Sequence, residues 1–185
     1  MFLLRFALSF TLLFFISACA INPSSNTYLI ETKGPYTLDT GDMIRVNIYG
    51  DKDISANYRI GDDGAISFPL IGAIDARGLT TQQISTNITL ALSQSYMRNP
   101  DVTVEIAEYR PFFIQGEVKQ AGKFPYVYGM SVRAAISNAG GFTDVADRSY
   151  AIVYRAQGDQ MVKGKVELDF PIYPGDTIVI NDRWL

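Results

Sequence analysis

The sequence predicts an α+β fold in two successive units: strands with one long helix, then further strands around one short helix. Three observations carry this. Segments such as Asp101 to Ala107 (DVTVEIA) alternate apolar and polar residues, the period of a half-buried strand. Thr80-Thr81-Gln82-Gln83 reads as a capping box ahead of an apolar stripe at helical spacing. Arg110-Pro111 marks a boundary, after which strand, turn, strand and helix follow in the same style.

Each element has its own signal. Tyr36 to Tyr49 (YTLDTGDMIRVNIY) reads as strand, tight turn and strand, with Gly41-Asp42 at the turn. Tyr58 to Leu70 reads as a hairpin, Arg59-Ile60 entering Gly61-Asp62-Asp63-Gly64 and Ala65 to Phe68 leaving it. Pro69 is tolerated at a strand end. The helix opens at Thr80 as N-cap with Gln83 at N3. Ile84, Ile88, Ala91 or Leu92, and Ser95 or Tyr96 share one face. Pro100 stops it and disfavours helix at Asn99. In the second unit, Phe112 to Val118 and Phe124 to Val127 read as strands flanking a turn over Lys119 to Lys123. Ser131 caps a short helix carrying Val132, Ala135, Ile136 and Ala139, ended by Gly140-Gly141. Tyr150 to Arg155, Met161 to Leu168 and Thr177 to Ile180 read as the remaining strands, a β-grasp-like order. Gly41-Asp42-Met43-Ile44-Arg45-Val46 is echoed by Gly175-Asp176-Thr177-Ile178-Val179-Ile180. Six residues do not by themselves establish a repeat.

Composition narrows the chemistry. Hydrophobic residues make up 48% and charged residues 19%, so a packed core is expected. Net charge is −3 and no basic run occurs, which argues against a nucleic-acid partner. With no histidine among the 185 residues, a Ser-His-Asp triad, a Cys-His pair and a histidine zinc site are all excluded. The clustered carboxylates Asp51/Asp53 and Asp62/Asp63 sit beside glycines and read as turn formers rather than an acid/base dyad. Asp62-Asp63-Gly64 lacks the later ligands of an EF-hand loop. Gly116 to Phe124 (GEVKQAGKF) only superficially resembles a phosphate-binding loop. Its glycine spacing is one residue too long, and Phe124 stands where Ser or Thr would hold magnesium. The 11 Tyr and 11 Phe read as core and interface rather than as a sugar platform. No catalytic, cofactor or metal-ligating residue is assigned.

The single cysteine, Cys19, stands behind an apolar run, Phe6 to Ile16, and a short start carrying Arg5. The run suits a signal-peptide core and falls short of the ~20 residues that span a bilayer. Ile16-Ser17-Ala18-Cys19 resembles a bacterial lipobox. That resemblance implies cleavage between Ala18 and Cys19 and lipid attachment at Cys19. One acyl chain binds only marginally, whereas several anchor stably. Ala20 rather than Asp follows the cysteine, which by resemblance to Gram-negative lipoproteins leaves sorting to the outer membrane unblocked. Ile21 to Thr27 reads as a polar tether.

The pieces in order resemble the outer-membrane polysaccharide export lipoproteins of capsule and exopolysaccharide secretion. YTLDTGDMIRVNIYGDKDISANYRIGDDGAISFPLIGAIDARGLT and RNPDVTVEIAEYRP resemble their export domain. FFIQGEVKQAGKFPYVYGMSVRAAISNAGGFTDVADRSYAIVYR and YPGDTIVINDRWL resemble the soluble-ligand-binding β-grasp (SLBB) domain. The expected organisation is a signal peptide (1–18), a lipidated tether (19–33), an export domain (34–110) and an SLBB domain (111–185).

The resemblance implies a non-enzymatic, ring-forming homo-oligomer, commonly an octamer. It would be lipid-anchored at the outer membrane and face the periplasm. Its partners would be an inner-membrane co-polymerase and the polysaccharide cargo. Longer members add a C-terminal amphipathic helix that crosses the outer membrane. Here the closing strand runs directly into Arg183-Trp184-Leu185, so the expectation is a short form that needs a separate outer-membrane β-barrel or acts only as a periplasmic ring. Two alternatives remain open: a monomeric glycan- or peptidoglycan-binding lipoprotein, and a carboxylate-based glycan hydrolase, which would need two facing acids about 5–10 Å apart.

Overall fold

A computed structural model describes residues 35–158 and 160–184. The candidate leader and tether, with Ala18 and Cys19, lie outside the described residues. The rest forms two hydrophobic cores in chain order, an α+β architecture as expected.

The first core is enclosed by β1 (Met43–Ile48), β2 (Asp51–Arg59), β3 (Ala65–Phe68), β4 (Gly72–Asp75), α1 (Thr81–Ser95) and β5 (Val102–Glu108). β1 sits between β2 and β5, antiparallel to both. Its alternation places Ile44, Val46 and Ile48 inward and Arg45 and Asn47 outward. The capping box forms as predicted: Thr80 accepts from the Gln83 N–H, and the Gln83 side chain accepts from the Thr80 N–H. Ile84, Ile88 and Leu92 are fully buried. Burying each aliphatic side chain of this size contributes about 1.5–3 kcal/mol. The Ser85 hydroxyl donates to the Val102 carbonyl at 2.6 Å, fixing α1 against β5.

The second core is enclosed by β6 (Phe112–Gly116), β7 (Gly122–Phe124), α2 (Val132–Asn138), β8 (Ala151–Gln157), β9 (Gln160–Val166) and β10 (Thr177–Ile180). The sheet order is β7-β6-β10-β8-β9, with β6 and β10 parallel at the centre and the other neighbours antiparallel. First and last strands side by side, with β7 on one flank, the β8-β9 hairpin on the other and one helix packed on the core, is the β-grasp arrangement. Ser131 caps α2 and Gly140, at φ +79°, turns the chain out of it.

Four expectations are corrected. Tyr36 to Asp39 does not join a sheet; Leu38 exchanges backbone bonds with Leu79 and Gly78, and the Asp39 carbonyl accepts the Asp42 N–H of a turn. The anticipated hairpin of Arg59-Ile60 with Ala65 to Phe68 is not a ladder, because β2 pairs with β1 and β3 pairs with β4. β4 is four residues long and carries no distinctive pattern. Asp51 and Asp53 lie at the start of β2 rather than in a loop, although Asp51 Oδ1 accepts the Asp53 N–H, the local bond expected of a turn-forming aspartate. β7 starts at Gly122, earlier than read, because Phe112 selects Phe124 as its cross-strand partner.

Candidate functional site

The two Gly-Asp corners noted in the sequence are equivalent in three dimensions. In Asp39-Thr40-Gly41-Asp42 the Asp42 N–H donates to the Asp39 carbonyl at 3.1 Å. In Tyr173-Pro174-Gly175-Asp176 the Asp176 N–H donates to the Tyr173 carbonyl, also at 3.1 Å. The glycines have φ +93° and +84°, as the third position of a type II turn requires. Each aspartate also folds back to accept the N–H of its turn's first residue, at 2.9 Å in one and 2.8 Å in the other. Both carboxylates are fully buried.

A buried carboxylate needs a cation, and each corner has an arginine. Asp176 is gripped in bidentate fashion by Arg155 of β8, Nε donating to Oδ1 at 2.8 Å and Nη2 to Oδ2 at 2.6 Å. Arg155 is stacked on Tyr173, its Cζ 4.2 Å from the ring centre. Asp42 takes Arg110, from the link between the units. The Arg110 backbone N–H donates to Oδ1 at 2.7 Å and Nη1 to Oδ2 at 3.1 Å. Arg110 Nη2 also lies 3.4 Å from Asp39 Oδ2. The same side chain packs under the second corner, where a Cβ added at Gly175 would lie 2.9 Å from Arg110 Nε. Gly175 in turn donates its N–H to the Pro111 carbonyl at 3.0 Å. The corners therefore meet around Arg110.

Tyrosines complete the junction. Tyr36 donates to Asp42 Oδ2 at 2.6 Å and accepts from Arg110 Nη1 at 3.0 Å. Its ring meets Tyr109 edge-on at 5.0 Å, and Tyr109 meets Tyr126 at 5.2 Å. This chain of rings runs from the first unit through the link into the second. Burial, and then the hydrogen bond to Asp42, push the Tyr36 hydroxyl far above the usual tyrosine range. Burial also raises Tyr109 and Tyr126.

Beside this junction lies a cleft of about 400 Å³. Tyr36, Arg110, Tyr126, Tyr128, Arg155 and Tyr173 are among the residues that line it. It offers flat aromatic surface with a few charged donors, the mixture typical of small-molecule sites.

The residues expected from the sequence to mark cleavage and lipid attachment, Ala18 and Cys19, lie outside the described residues. Asp63 serves its turn, accepting the Ala65 N–H at 3.0 Å. Among the described residues no group of three or more Asp, Glu, Cys or His side chains is placed to hold a metal ion. No helix among them is long and apolar enough to cross a membrane. Sequence reasoning assigned no role to Arg110, Arg155, Tyr36 or Tyr173; the one signal pointing to them was the repeated Gly-Asp.

Two such units, joined at a packed corner, agree with what comparison finds. Residues 31–107 match the family of polysaccharide biosynthesis/export proteins, and residues 111–164 match the SLBB domain. The chain belongs to the polysaccharide export family, with an SLBB domain following the export domain. Among its relatives is the exopolysaccharide production protein ExoF of Rhizobium meliloti (strain 1021). It is 32% identical over 114 residues, covering 60% of this chain and 27% of ExoF. Another is the polysialic acid transport protein KpsD of Escherichia coli. It is 24% identical over 160 residues, covering 80% of this chain and 28% of KpsD. The matched region thus spans little more than a quarter of either relative.

Proposed function

We propose that this protein is a non-enzymatic component of a machine that exports a capsular or extracellular polysaccharide. The observation that carries the reading is the succession of an export domain and an SLBB domain, locked at Arg110 into one corner. A conduit subunit has to hold its domains in fixed relation, and the buried carboxylates and the ring chain supply that rigidity. In this reading residues 1–18 are removed, Cys19 carries lipid, 19–33 form the tether, and 34–110 and 111–185 form the two domains. The protein faces the periplasm at the outer membrane. It assembles as a homo-oligomeric ring, as an octamer in the form the family suggests. Its partners are an inner-membrane co-polymerase, a separate outer-membrane β-barrel and the polysaccharide itself. A ring needs two different, complementary patches on each subunit, and in this reading they lie on the flanks of both domains.

The test is a clean deletion, complemented by the wild type and by Cys19→Ala. Loss of extracellular polysaccharide with intact sugar-nucleotide pools is expected on deletion. The wild type should restore it, and Cys19→Ala should no longer fractionate with the outer membrane. Unchanged extracellular glycan in the deletion strain would sink the reading. A light-scattering mass equal to one chain would remove the ring and favour a monomeric glycan-binding lipoprotein.

A further inference from the structure

We infer that the junction cleft is a saccharide-binding subsite, one that holds a sugar unit of the exported chain as it passes. The inference rests on the export reading for the identity of its ligand, but its geometry stands separately. The cleft volume of about 400 Å³ falls within the roughly 300–1,000 Å³ of small-molecule sites. Tyr36, Tyr126, Tyr128 and Tyr173 line it. Tyr128 is 76% exposed, an aromatic ring left largely in water. Such rings offer apolar faces for the C–H faces of a pyranose, with hydroxyls at hand for its oxygens.

The arginines supply the polar half. Among the described residues, Nη1 of Arg155 is the one buried side-chain nitrogen or oxygen without a hydrogen-bond partner. An unsatisfied buried donor costs about 1–3 kcal/mol, and more when charged, so an acceptor that reaches it is favoured. Arg155 lines the cleft, and the Tyr173 ring lies over its guanidinium. In this proposal an oxygen of the bound sugar becomes the acceptor that Nη1 lacks. The charges around the cleft already balance: Arg155 faces Asp176, Arg110 faces Asp42, and Arg77 faces Asp39. A sugar hydroxyl or ring oxygen therefore suffices as acceptor, and a carboxylate is not required. Aromatic faces with so few fixed donors hold a sugar weakly, as a passage must.

The probe is a set of oligosaccharides of two to six units, released by mild acid from the producing strain's own extracellular polysaccharide. The purified full chain is titrated with them by calorimetry, and backbone hydrogen exchange is followed by mass spectrometry. Slower exchange confined to 126–129 and 171–175 is expected. Tyr128→Ala should weaken binding about tenfold, and Arg155→Lys, which keeps the charge toward Asp176 but loses Nη1, should weaken it further. Tyr49→Ala, 88% exposed and away from the cleft, should bind as the wild type does. Absence of heat and protection, protection elsewhere, or full affinity in folded Tyr128→Ala would each overturn the inference. The deletion strain separates the two readings. If it still releases polysaccharide, the export reading falls; if it does not and the cleft binds nothing, only the subsite falls.

Discussion

The two Gly-Asp corners share a turn, a side-chain bond and a buried carboxylate, yet they do different work. At Asp176 the cation comes from Arg155, in the strand next to β10, and both side chains are enclosed, at 4% and 1% exposure. That pair belongs wholly to the second unit. At Asp42 the cation comes from Arg110 in the link, and its side chain keeps 23% exposure. That pair ties one unit to the other. The strand beyond each corner differs too. Ile60, bonded to Asp42, continues an antiparallel neighbour, whereas Phe113, bonded to Asp176, opens a parallel one. One local motif can thus serve either a sheet interior or a domain junction. What decides is where the arginine stands in the chain.

The largest effect should separate the two arginines. Arg155→Met leaves Asp176 buried with only the Tyr173 N–H as donor, and breaking such a pair costs about 3–5 kcal/mol. Arg110→Met leaves Asp42 with three donors, the Tyr36 hydroxyl and the backbone N–H groups of Asp39 and residue 110. A loss of about 1–2 kcal/mol is expected there. Urea unfolding measures both. The second variant should also split one cooperative transition into two, as the units uncouple. Equal losses would show that the corners are not distinguished by their cations.

A smaller effect probes the turns. Gly175→Ala meets Arg110 Nε at 2.9 Å on top of its unfavourable φ, while Gly41→Ala meets nothing closer than Arg110 Cβ at 3.6 Å. The left-handed conformation alone costs about 1–2 kcal/mol. Gly41→Ala should lose that much and Gly175→Ala measurably more, by thermal melting. The reverse order would mean that Arg110 moves aside freely, and that the corners are less tightly joined than the geometry implies.

The smallest effect is the part of the alkaline pH dependence that comes from the first corner. The Tyr36 hydroxyl is held protonated in the folded state well above the value of about 10 that governs the unfolded chain. Its contribution is therefore complete below pH 10 and fades as pH rises from there toward its folded value. Stability should fall with pH above about 10, and Tyr36→Phe should flatten part of that decline. Tyr109 and Tyr126, also raised, leave a residual slope. Identical alkaline slopes in wild type and variant would remove Tyr36 from the account.

The sequence was most legible where a signal is local. The α1 capping box needs only four consecutive residues, and its stripe of Ile84, Ile88 and Leu92 follows from helical geometry alone. The strand at Thr177–Ile180 and the Ser131 cap were visible for the same reason. Strand pairing was less so. Ala65 to Phe68 shows its own extended character but not whether β2 or β4 lies beside it, since either neighbour satisfies the same backbone groups.

The sequence by itself determined the α+β class and the resemblance that led to the export family. Those rest on period, caps and motif order, which the chain carries residue by residue. The junction was decided only in the tertiary structure. Asp42 and Arg110 are 68 residues apart, Arg155 and Asp176 are 21 apart, and Tyr36 reaches Arg110 across 74. A buried carboxylate demands a cation but does not say which, because Coulomb attraction depends on distance in space and not along the chain.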